Sequence, residues 1–178
     1  MSEELQALVQ RYGGVPVMRR NLEVSTGTIK TLKAVEGGNL GAAGLLWNES
    51  GQVLLVRHGA SSQWGKRWVT PGGAAVTGES PEDTLLREVW EETGLRARIL
   101  DLTRVYEMNV TDGEDSIAGF FFQFEAMTRG PKPSPGPGIK EVRWFDDLPL
   151  YMAFRSDYLD AFLGRREEIL EERKRPKS

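Results

Sequence analysis

The sequence predicts an α/β protein, and three observations carry that expectation. Residues 81–93 form an amphipathic helix with a strong start and stop signal. Strand-like runs rich in Val, Leu, Ile and Phe stand on both sides of it, near 40–58 and 96–145. Turn residues rather than long linkers separate those runs, and no internal repeat organises them. At 178 residues the chain suits one domain with an appendage. Being 39% hydrophobic and 28% charged, it can bury a core at that length.

The N-terminal segment is expected to be an appendage, residues 1–39, that packs on the core or could build a dimer. Leu5, Leu8, Val9 and Tyr12 recur at helical spacing over 3–12, and Gly13-Gly14 stops the run. Residues 15–24 are extended, and Pro16 confines them to a strand start or a sheet edge. Residues 25–36 place Ile29, Leu32 and Val35 three apart, which favours a helix over a strand.

The main domain, residues 40–178, opens with a hairpin. Strand 40–47 leads through Asn48-Glu49-Ser50-Gly51 into strand 52–58. Arg57 stands at the end of that second strand, placed for a phosphate contact. His58, the sole histidine, sits beside Gly59 and is read as a surface residue. A Gly/Ser-rich loop follows at 59–67, carrying Trp64, and a strand is expected at 68–76.

Ser80 is a good N-cap, Pro81 suits the first helical position, and Asp83 completes a capping box. Leu85 with Val89 and Leu86 with Trp90 are expected to form the apolar face, and Gly94 to cap the C-terminus. Glu88, Glu91 and Glu92 stand at i, i+3 and i+4, so the spacing puts their carboxylates on one patch of the other face. Like charges so spaced cost a helix about 0.2–0.5 kcal/mol per pair. A divalent cation removes that cost, and hard oxygen ligands in this number suit Mg²⁺ or Mn²⁺.

Beyond the helix, strands are expected at 96–108, 116–127 and 141–145, with a turn at 109–114. Residues 129–138 (RGPKPSPGPG) read as a stiff, solvated loop with polyproline character. A C-terminal helix is expected at 157–172, apolar at Tyr158, Leu159, Phe162, Ile169 and Leu170. Its charge-dense end, residues 165–178, is expected to fray.

Composition excludes several classes. The net charge of −3 makes no electrostatic case for general nucleic-acid binding or for a membrane surface. Without cysteine there is no disulfide and no thiolate metal site. The acidic start lacks the apolar run of a signal peptide, and no run reaches membrane-spanning length, so a cytoplasmic location is the default expectation.

The stretch from Gly73 to Leu95 decides the expectation of function. It reads Gly73, five residues, Glu79, seven residues, then Arg87-Glu88-Val89-Trp90-Glu91-Glu92-Thr93-Gly94-Leu95. This resembles the Nudix box, G-x5-E-x7-R-E-U-x-E-E-x-G-U with U a bulky aliphatic residue, without a departure. Pro71-Gly72 before it also matches, whereas Thr70 stands where relatives have a larger apolar residue. The likeness is looser over 40–150 and says nothing specific about residues 1–39.

The resemblance implies a Nudix fold, an α/β/α sandwich around a mixed β-sheet. It implies metal-dependent hydrolysis of a diphosphate linkage, usually in a nucleoside diphosphate joined to another group. Glu88 and Glu92 are the implied principal metal ligands, with Glu91 as a third ligand or the base that orients water. The Gly73 carbonyl would reach the metal, Arg87 would pin a neighbouring glutamate, and Glu79 would complete that network. Arg57 and Trp64 are the expected substrate contacts. A second carboxylate often comes from the loop before the last strand; here residues 127–140 hold no Asp or Glu. Glu107, Glu114, Asp115 and Glu141 remain as candidates, each read first as a surface charge.

ADP-ribose or a nucleotide sugar is the preferred substrate class, with a small-molecule nucleotide as partner. Signatures of particular substrates are absent at Val110, Thr111 and Asp112. An alternative is a non-catalytic module that senses a nucleotide ligand on the same fold, which a degraded box would favour. The prenyl-diphosphate isomerase branch, which relies on a Cys and several His, does not suit a chain with no Cys and one His.

Overall fold

The computed structural model describes residues 1–175. It shows a mixed α/β fold with four helices and a seven-stranded sheet in these described residues. The strand order is β1-β5-β6-β2-β3-β7, with β4 paired to β2. These are Val17–Glu23 (β1), Asn39–Trp47 (β2), Val53–His58 (β3), Gly72–Ala74 (β4), Arg96–Thr111 (β5), Ser116–Arg129 (β6) and Ile139–Phe145 (β7). β1 runs parallel to β5, whereas β2–β3, β2–β4 and β3–β7 are antiparallel, so the sheet is mixed. The chain divides into two compact units.

The first unit holds residues 1–44, 72–88 and 99–125. Helix α1 (Glu3–Arg11) is capped by the Ser2 hydroxyl, buries Leu5 and Leu8, and ends at two glycines with positive φ, Gly13 and Gly14. The Tyr12 ring meets Phe124 edge-on at 6.0 Å. β1 follows at a sheet edge, where a Pro16 lacking its N–H costs no ladder bond. Residues 25–36 do not make the expected helix. A single turn, α2 (Thr28–Thr31), is all that forms, between Gly27 at φ 84° and an extended Leu32. Ile29 packs on Leu40, Tyr106, Met108 and Val110, whereas Val35 is exposed, so the spacing of three never became a helix face.

Asp112 holds this region together. Its side chain accepts the N–H groups of Ile29, Glu114 and Asp115 at 2.9–3.1 Å. The expected turn at 109–114 therefore lies later, because β5 runs on to Thr111 and the chain reverses over residues 112–115.

The second unit holds residues 45–71, 89–98 and 126–175. The β2–β3 hairpin pairs Leu46 with Leu54 and Trp47 with Val53, and Gly51 at φ 77° makes its turn. Leu45 to Trp47 and Val53 to Val56 are fully buried, each large side chain worth ~1.5–3 kcal/mol. Helix α4 (Arg155–Lys174) stacks Phe162 on Trp47 at 5.4 Å and buries Tyr158 and Ile169. It is helical to Lys174, and residues 176–178 of the expected frayed end lie outside the described residues.

The strand expected at 68–76 is mostly absent. Pro71 interrupts the ladder, leaving bridges of Val69 to Val56 and Trp68 to Met152 before the short β4. Thr70 is buried, and its hydroxyl donates to Tyr158 Oη at 2.8 Å, a bond that a larger apolar residue could not make.

Candidate active site

The glycine-rich loop is shaped by close approach. β4 lies against β2 with Gly73 opposite Ala42 and Gly72 opposite Ala43. A Cβ on Gly72 would overlap Ala42 and Ala43, and one on Gly73 would stand 2.6 Å from the Glu88 carboxylate carbon. Only glycine lets this backbone lie against that carboxylate. The loop then enters α3 (Pro81–Thr93), with Ser80 Oγ accepting the Asp83 N–H at 3.1 Å and donating to the Asp83 carboxylate at 2.8 Å.

From the middle of α3, Arg87 joins helix to loop. Its Nε donates to Glu79 Oε1 at 2.8 Å, and its Nη2 donates to Glu79 Oε2 at 3.1 Å and to the Ala74 carbonyl at 2.9 Å. Its Nη1 donates to Glu88 Oε1 at 2.8 Å. Glu79 also accepts from the Thr84 hydroxyl and the Val76 N–H. These bonds, those from Arg87 first, hold the Glu79 carboxyl below the usual range against the opposing effect of burial. The same bonds, to Glu79 first, raise the guanidinium's pKa. The sequence brought these residue types to notice, and the fold places Arg87, Glu79, Glu88 and Gly73 together.

The three glutamates differ in surroundings. Leu85 and Val89 are fully buried, but Leu86 is half-buried and Trp90 is 54% exposed, under the Arg96 guanidinium at 5.5 Å. At ~100° per residue, Glu88 and Glu92 both fall to one side of Leu85, the side away from Val89, on the inward half of the helix. The carboxylates thus border the apolar face rather than oppose it, a correction to the face read from the sequence. Glu92 is 7% exposed and Glu91 is exposed. Among the described residues, no group of three Asp, Glu or His side chains already converges to hold a metal ion.

In the second unit, His58 Nε2 stands 3.9 Å from Glu92 Oε1, and its burial lowers the imidazole pKa. The histidine expected at the surface is half-buried. The spacing of His58 from the glutamates carried no signal, because a non-local strand places it. The proline-rich loop, 129–138, does not stand away in solvent throughout. The Gly136 N–H donates to the Glu92 carbonyl and the Ser134 N–H to the Thr93 carbonyl, both at 3.0 Å.

Arg57 turns to Glu141, donating from Nη2 at 2.6 Å, and stands 5.5 Å from the Trp68 ring. Arg143 shares Glu141 and stands 5.2 Å from the same ring. Trp64 is half-buried and meets Phe154 edge-on at 5.4 Å. The four candidates for a second carboxylate are all ion-paired: Glu107 to Arg19, Glu114 and Asp115 to Lys30, and Glu141 to both arginines.

Comparison with known proteins settles the family. A family model described as the NUDIX domain matches residues 39–155. This chain belongs to the Nudix family. Among Nudix relatives, a MutT-like protein of Streptomyces ambofaciens is 39% identical over 42% of this chain and 46% of its own length. The chain therefore spans about half of that relative. The 8-oxo-dGTP diphosphatase of Escherichia coli is 30% identical over 61% of this chain and 85% of its own length. A Nudix hydrolase structure from Nitrosomonas europaea superposes with a TM-score of 0.59 at 24% identity, over 76% of this chain and 74% of that one, and it shares the fold. Nudix hydrolases in general use divalent metal ions. No helix among the described residues is long and apolar enough to cross a membrane.

The donor set fits such an ion. Glutamate oxygens are hard ligands, and the Gly73 backbone leaves a space beside Glu88 that any Cβ would fill.

Proposed function

We propose that the chain hydrolyses a diphosphate bond in a nucleoside diphosphate derivative, with ADP-ribose or a nucleotide sugar as the substrate class, using Mg²⁺ with Mn²⁺ as a substitute. The observation that supports this reading most is the complete box, folded so that Arg87 spans Glu79 and Glu88 while the Gly73 backbone lies on the Glu88 carboxylate.

Glu88, Glu91 and Glu92, with the Gly73 carbonyl, would hold the metal. When bound, it screens the substrate's charge, lowers the pKa of water and stabilises the leaving oxygen. Arg87 fixes Glu79 and Glu88 so that the ligands need little reorganisation. Glu91, exposed at the helix surface, would serve as a third ligand or orient the attacking water. Arg57 and Trp64 would contact the substrate, Arg57 by giving up part of its bond to Glu141. The name of the Escherichia coli relative adds oxidised nucleoside triphosphates to the compounds worth testing. Residues 1–39 add a helix and an edge strand, and such an edge could pair with a second copy.

The test is a hydrolysis panel with Mg²⁺ and Mn²⁺, covering ADP-ribose, nucleotide sugars, dinucleoside polyphosphates and nucleoside triphosphates. The Glu92→Gln protein runs alongside. One compound turned over well ahead of the rest, and not by the variant, is the expected result. Binding of a nucleotide without turnover of any would favour a sensing module instead.

A further inference from the structure

Glu92 is the buried member of the acidic trio. Its main chain is already fixed: it lies in the last turn of α3, and its carbonyl accepts the Gly136 N–H. A side chain at residue 136 would overlap the Glu91 carbonyl, so the loop is held flush against the helix end. Its carboxylate faces His58.

His58 stands beside that carboxylate, at the end of β3. Pairing between β3 and β7 passes from Arg57–Glu141 to His58–Ile139, so Lys140 is an extra residue in the ladder. Such a bulge re-aims the neighbouring side chains and recurs next to active sites. A second tie anchors this strand end, because the Gly59 N–H donates to the Gly138 carbonyl at 3.3 Å. The imidazole projects from this locked corner with its side chain 23% exposed and Nε2 3.9 Å from Glu92 Oε1. That separation is beyond a hydrogen bond, and contacts of this kind tighten when a site is loaded.

We propose that His58 is a positioning residue: carrying its proton on Nε2, it donates to Glu92 Oε1 and holds that carboxylate in the orientation that binds the divalent cation. The proposal rests on Glu92 being a metal ligand, as argued above. Outer hydrogen-bond partners of metal ligands are worth about 10–100-fold in metal affinity.

Direct binding of Mn²⁺, followed by electron paramagnetic resonance without substrate, tests it on the full chain. Four proteins are compared with wild type: His58→Ala, His58→Phe, His58→Gln and Glu92→Gln. His58→Phe keeps the buried volume without a donor, so it serves if the alanine variant folds poorly. His58→Gln restores an N–H of similar reach. The expected result is roughly tenfold or greater weakening in His58→Ala and His58→Phe, with most of the affinity restored in His58→Gln. Wild-type affinity in His58→Phe beside a large loss in Glu92→Gln would overturn the positioning role and leave the metal site standing. Equal loss in all three His58 variants would also overturn it, because the imidazole would then be a ligand itself. Full affinity in Glu92→Gln would remove the metal assignment on which the proposal depends.

Discussion

Gly73 is seated directly on the carboxylate of Glu88, with 2.6 Å between that carboxylate and the position a Cβ would take. Contact this short cannot be relieved by the backbone alone, because β4 is pinned to β2 on its other side. Gly73→Ala is therefore expected to turn Glu88 away. The expected outcome is at least about tenfold weaker Mn²⁺ binding with an unchanged circular dichroism spectrum. Unaltered Mn²⁺ affinity would show that Glu88 is not held through this contact.

Glu92→Gln keeps shape and volume but removes the charge. Turnover should fall about 10²–10³-fold, the size of one lost electrostatic contact in a reaction site. Its melting temperature should stay close to wild type. A variant that retains wild-type rates with saturating Mg²⁺ would remove Glu92 from the chemistry.

Glu79 and Asp112 both have carboxyl groups held below their ordinary pKa. Arg87 is the main cause for Glu79, and the Asp115 N–H for Asp112. For a depressed folded-state value, the stabilisation is complete above the unfolded pKa of about 4 and fades as pH falls through the lower folded value. Urea midpoints should therefore drop from pH 7 to pH 3 more steeply in wild type than in Glu79→Gln or Asp112→Asn. Parallel slopes in all three proteins would contradict this.

The Tyr12 hydroxyl donates a short bond to Glu82, and burial first, then this bond, raises its pKa. Arg11 donates to the same carboxylate at 2.9 Å. Tyr12→Phe should cost about 1.5–3 kcal/mol in urea unfolding, the range for a bond to a charged group. A loss below a few tenths would mean that the N-terminal helix is not fastened there.

Leu85 and Trp90 separate the two readings of the α3 surface. Leu85→Ala should cost about 2–5 kcal/mol, since the side chain is fully buried. Trp90→Ala should cost under about 1 kcal/mol, the worth of an exposed cation–π contact with Arg96. Thermal or urea unfolding of the pair would reverse that order if Trp90 were a core residue.

The α3 boundaries were legible because their signals are local: a serine cap, a proline at the first turn and Gly94 at φ 69°. So were the hairpin and the grouping of Arg87 with Glu79 and Glu88. What escaped depends on contacts distant in sequence. Residues 25–36 had helical spacing but are drawn to Asp112 and the sheet. Trp90 had the right spacing and the wrong side of the arc, because the inward arc was claimed by glutamates that look polar. His58 approaches Glu92 only through strand pairing, and nothing in the local sequence announces it. The role of Arg57 was drawn from its strand end, whereas Glu141 on the neighbouring strand decides where it points.

The bonds from Ser134 and Gly136 to the end of α3 divide the proline-rich loop into two parts with unequal freedom to change. Residues 130–132 make none of these bonds to the helix and are exposed, so an inserted peptide or a fluorescent tag placed there would leave the helix end untouched. The same insertion between Ser134 and Gly136 would pull two amides off their carbonyls. For anyone labelling this protein or grafting a second domain onto it, the usable attachment point and the forbidden one lie only a few residues apart.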